Sequence, residues 1–71
     1  MNQFTQVVVE TVRSAGGAIA YPDLYNTTAP EMRQGLPAAL KEAKAEKILR
    51  QEVSFIDGKL EHKVLLVEGA S

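Results

Sequence analysis

The chain has no cysteine and a single histidine, His62. Without cysteine there is neither a disulfide framework nor a thiolate metal site, and one imidazole has no second with which to share a zinc ion. No apolar run approaches the roughly 20 residues that a membrane-spanning helix needs. The opening residues Met1, Asn2, Gln3, Phe4 and Thr5 lack the basic and apolar regions of a secretory signal, so a cytoplasmic location is expected. There is no glycine-rich phosphate loop and no nucleophile elbow, and the carboxylates are scattered instead of converging. These absences predict a protein that is not an enzyme and that carries no cofactor and no metal. An excess of positive charge is also missing: the net charge is −1, where a phosphate-binding domain ordinarily shows a basic footprint.

The most specific local signal is Asp57-Gly58, set between the strand-like runs RQEVSFI and KLEHKVLLV. Both central residues of the favoured two-residue hairpin turn need positive φ, which Asp and Gly tolerate. The hairpin follows the helical pattern LPAALKEAKAEKIL. At 71 residues the chain makes one domain. A domain of this size buries only roughly 60% of the surface its unfolded chain exposes, so packing, within the chain or across a dimer interface as well, must supply its stability. Order is expected over residues 2–68, with a loose tail beyond.

Upstream, Phe4, Val7, Val8, Val12 and Ala15 fall on one helical face, which predicts an amphipathic helix over residues 4–15, capped by Asn2 and ended by Gly16-Gly17. Residues 18–21 are too short for a helix and run into Pro22, which predicts a short edge strand. Pro22 and Asp23 then open a brief helix over residues 22–26, with Leu24 and Tyr25 facing the core. Thr28 as N-cap and Pro30 as an early residue start a third helix, whose apolar stripe is Met32, Leu36, Leu40 and Ala43. Gly35 and Pro37 kink it or split it, leaving a main helix from Leu36 to about Glu46. Residues 64–67 are apolar on both strand faces, so that strand is either central in a three-stranded sheet or covered by a partner.

In this order the elements are helix, short strand, short helix, longer helix and a hairpin closed by Asp57-Gly58. The chain thus resembles the winged-helix family of helix-turn-helix domains over residues 4–67. The resemblance implies an α+β fold of three helices and a small antiparallel sheet ending in a hairpin wing. It also implies that the third helix enters the major groove of duplex DNA while the wing touches backbone or minor groove. Carried onto this chain, the DNA-facing side of the third helix holds Gln34, Ala38, Lys41 and Ala45, opposite Leu36 and Leu40. Lys41 would read a guanine edge or a phosphate, Gln34 an adenine edge, and Lys44 and Arg33 phosphates; Lys59, His62 and Lys63 would supply the wing contacts. Glu31 and Glu42 border that face and Asp57 sits at the wing tip.

The function implied is that of a transcriptional or replication regulator acting as a homodimer on duplex DNA. The alternative is a winged-helix adaptor that binds protein through its third helix or its last strand. Plainer roles exist for the same residues: Lys41, Lys44, Lys47 and Arg50 recur every three positions and would coat a solvated helix, while His62, Tyr21 and Tyr25 would sit at the core rim.

Overall fold

The computed structural model describes residues 2–67; the tail expected beyond them lies outside the described residues. Helix α1 (Gln3–Ser14) is followed by strand β1 (Ala18–Ala20) and helix α2 (Tyr21–Thr27). A 3-10 turn (Pro30–Gly35) leads into helix α3 (Leu36–Ala45), and strands β2 (Leu49–Ile56) and β3 (Lys59–Leu66) form the C-terminal hairpin. The sheet is antiparallel in the order β1-β3-β2. This is the α+β, winged-helix-like layout that the sequence predicts. Among the described residues no helix is long and apolar enough to cross a membrane.

Asn2 caps α1 as expected, its Oδ1 accepting the Thr5 N–H at 2.8 Å. At the other end Gly17 N–H donates to the Val12 carbonyl at 3.0 Å and Gly16 N–H to that of Arg13 at 3.1 Å. The two glycines take φ of +91° and +95°, so the helix stops in a Schellman turn. The buried stripe differs from the expected one. Thr5, Val8, Val9 and Val12 face the core, while Val7 is 55% exposed and Ala15 is exposed. Thr5 can be buried because its hydroxyl donates to Asn2 Oδ1 at 3.0 Å. Counting it as polar rotates the apparent stripe by about one position.

Helix α2 buries Leu24, but Tyr25 is exposed. Thr28 does not cap the third helix; its hydroxyl donates to the Leu24 carbonyl at 2.7 Å and closes α2 instead. The third helix is split: Pro37, without an N–H, sits in the first turn of α3, and the residues before it tighten into the 3-10 turn. Met32 falls in that turn and is exposed, while Leu36, Ala39, Leu40 and Ala43 are buried.

Helix α3 also ends in a Schellman turn, with Lys47 in the left-handed position at φ +60° and Ile48 N–H donating to the Ala43 carbonyl at 2.9 Å. At the hairpin tip Asp57 and Gly58 have φ of +52° and +74°, as a type I′ turn requires. The strand holding Val64 is the middle one, and Val64 itself is fully buried beneath the helices.

Candidate nucleic-acid interface

Strand alternation sorts the hairpin into two faces. Towards the helices point Leu49, Gln51, Val53 and Phe55 of β2, paired with Leu66, Val64, His62 and Leu60 of β3. Away from them point Arg50, Glu52, Ser54 and Ile56, paired with Leu65, Lys63, Glu61 and Lys59. The inner face therefore carries no Asp, Glu, Lys or Arg, and the outer face carries five, including the ion pair Arg50–Glu52.

Between α3 and this inner face lies a cleft of about 310 Å³, lined by Tyr21, Pro37, Leu40, Lys41, Lys44, Gln51 and His62. On its sheet side the His62 imidazole stacks on the Tyr21 ring, centroids 4.9 Å apart and planes 8° off parallel. The Gln51 side-chain amide nitrogen lies 3.1 Å from His62 Nε2, within hydrogen-bonding distance. The floor is thus a planar surface with hydrogen-bonding groups at its edge. Lys41 and Lys44 line the opposite wall from α3, both exposed. Among the described residues no carboxylate lines this cleft and neither lysine has an ion-pair partner.

Glu42 is adjacent in sequence to Lys41 but is turned away from it. Its carboxylate accepts the Asn2 backbone N–H at 2.9 Å, tying α3 to the start of α1. That hydrogen bond holds the Glu42 carboxyl below the usual carboxylate range. Glu42 thus leaves the α3 surface on which it was expected to oppose the lysines.

The remaining expected contacts are dispersed. Ala38 and Ala45 are exposed on α3, whereas Gln34, also exposed, belongs to the preceding 3-10 turn. Arg33 is engaged elsewhere: its Nε donates to the carbonyls of Tyr25 at 2.9 Å and Thr28 at 3.1 Å, and its guanidinium lies 4.7 Å above the Tyr25 ring. It braces the end of α2, a position with little freedom to follow a phosphate. Lys59 and Lys63 project from the outer face of the hairpin, Lys63 opposite Glu52 and Ala20. The structure therefore unites Lys41, Lys44 and His62 in one cleft and leaves Arg33, Lys59 and Lys63 out of its lining. Tyr21 and Gln51 enter the site although neither was expected there. Gln51 had a legible signal: it is the one amide at an inward position of β2, flanked by Leu49 and Val53.

Comparison with protein-family models, with curated proteins and with solved structures finds no match to this chain.

Proposed function

We propose that the protein is a small winged-helix DNA-binding module that holds duplex DNA against α3 and the wing, in a transcriptional or replication role. The observation that carries this reading is the cleft between α3 and the hairpin, with Lys41 and Lys44, which have no carboxylate partner among the described residues, on one wall and the His62–Tyr21–Gln51 surface on the other. Local charge matters more here than the net charge of −1. Phosphates interact with the residues within about a Debye length, roughly 10 Å at 0.1 M salt, and there Lys41 and Lys44 face the cleft while the Glu42 carboxylate is engaged by the Asn2 N–H. Small Ala38 and Ala45 on the same helix permit close approach to a groove.

The test is duplex binding measured as a function of salt. With few basic side chains in contact, affinity falls as salt rises with a log–log slope of about −0.9 per phosphate neutralised. Lys41→Glu, on an exposed position that folding does not use, weakens binding at least about tenfold at low salt and flattens the slope by about one. Absence of duplex binding near about 50 mM salt overturns the reading. A second reading, a winged-helix adaptor that contacts protein and no DNA, is favoured by the uncharged inner face of the wing where it is exposed, at Val53, Phe55 and Leu60; that outcome would put it first.

A further inference from the structure

The two edges of the sheet are built differently. β1 is three residues long and passes directly into α2, so it offers almost no free ladder. β2 is eight residues long, pairs with β3 in unbroken register from Leu49↔Leu66 to Ile56↔Lys59, and has nothing on its other side among the described residues. It contains no proline, no lysine and no bulge, devices that keep an edge strand from pairing; the two charged side chains it does carry, Arg50 and Glu52, are of opposite sign. Which backbone groups are free follows from the pattern. Val67 N–H donates to the Ile48 carbonyl at 2.8 Å, so even-numbered residues of β2 point their N–H and C=O to β3, and Leu49, Gln51, Val53 and Phe55 point theirs outward.

The geometry points to this edge as the seat of a second copy of the same chain, β2 against β2 antiparallel about a twofold axis at Gln51. The argument is one of self-complementarity. A twofold ladder centred on Arg50 sets Arg50 against itself, and one centred on Glu52 sets Glu52 against itself. Centred on Gln51, it places Arg50 opposite Glu52 of the second copy, twice, and Leu49 opposite Val53, twice. The outward backbone groups of Gln51, Leu49 and Val53 then exchange hydrogen bonds, and the charged pairs fall at the closely spaced positions where opposite charges attract most. Arg50 and Glu52 already bond within one strand, so both side chains are aligned on the outer face.

The same register accounts for the uncovered part of the wing. Val53, Phe55 and Leu60 are 61%, 74% and 64% exposed on the face that the helices cover lower down. With the axis at Gln51, Phe55 comes opposite residue 47 of the second copy, beside the turn that ends its α3. Each wing tip thereby reaches under the helical layer of the other chain, and a six-stranded sheet results with all helices on one side. The argument for this assembly rests on the strand edge and not on the identity of what the cleft binds, although Gln51 belongs to both.

Sedimentation equilibrium on the intact chain across a concentration series tests it. The wild type moves from 7.7 kDa towards twice that mass. Arg50→Glu or Glu52→Arg alone sets like charges opposite each other twice and weakens association at least about tenfold, while the double exchange R50E/E52R restores it to within about threefold. Circular dichroism of each variant separates lost association from lost folding. In the wild type, amide exchange at Gln51 and Val53 slows as concentration rises while Glu52 is unchanged. A mass that stays at 7.7 kDa up to millimolar concentration overturns the proposal, as does a double exchange no stronger than the single ones.

Discussion

The root and the tip of the hairpin follow one sequence pattern and meet opposite fates. At the root, Leu49 is 2% exposed and Val64 fully buried, packed under α1 and α3. Four to six residues further along the same inner face, Val53 and Phe55 stand in solvent. Alternation decides which side of a strand is apolar; the length of the helical layer above decides how much of that side is covered. The root therefore carries fold stability, and the tip carries surface available to something else.

The largest way to test this contrast is at the root. Leu49→Ala removes a fully packed side chain and lowers unfolding free energy by about 2–5 kcal/mol, read from urea denaturation; a loss well below that range would mean that the root is not the centre of the core. An intermediate effect comes from acid. Because the Glu42 carboxyl is held below its ordinary value in the folded chain, its contribution is present above the unfolded value and is lost as pH falls through the folded one. Acid titration therefore loosens the contact of α1 with α3 that covers the root, and Glu42→Gln makes stability less dependent on pH below the normal carboxylate range. The same midpoint drift in Glu42→Gln as in the wild type would show that another group is responsible. The smallest effect is at the tip. Phe55→Ser changes the stability of the isolated monomer by no more than about 0.5 kcal/mol, since the ring gives up little buried contact there. A loss of several kcal/mol would erase the distinction between the two ends.

Much of this organisation is legible in the residues. The hairpin turn, the Asn2 cap, the glycine stop of α1, the short edge strand and the break before α3 all rest on backbone chemistry that a few neighbouring residues determine. What escapes is set by partners far away in sequence. Thr5 is buried because Asn2 gives its hydroxyl an acceptor, so the polar label misleads. Thr28 closes the helix before it instead of starting the element after it, since the 3-10 turn begins at Pro30 and puts Ala29 in the cap position. Arg33 and Glu42, two charges that periodicity alone would leave in solvent, are taken up by α2 and by the start of α1. The site shows the same division: Lys41 and Lys44 are visible from the helix pattern, whereas the meeting of Tyr21 with His62 needs β1 beside β3.

Ile48 joins the two walls of the cleft. Its N–H donates to Ala43 of α3 and its carbonyl accepts from Val67 beyond β3, and its side chain packs against the core. Helix and hairpin are thus clamped by a joint only three residues long, with no slack loop between them. The gauge of the cleft is therefore set where the backbone turns from helix to strand; on the proposed function, a duplex whose groove did not match that gauge would itself have to deform.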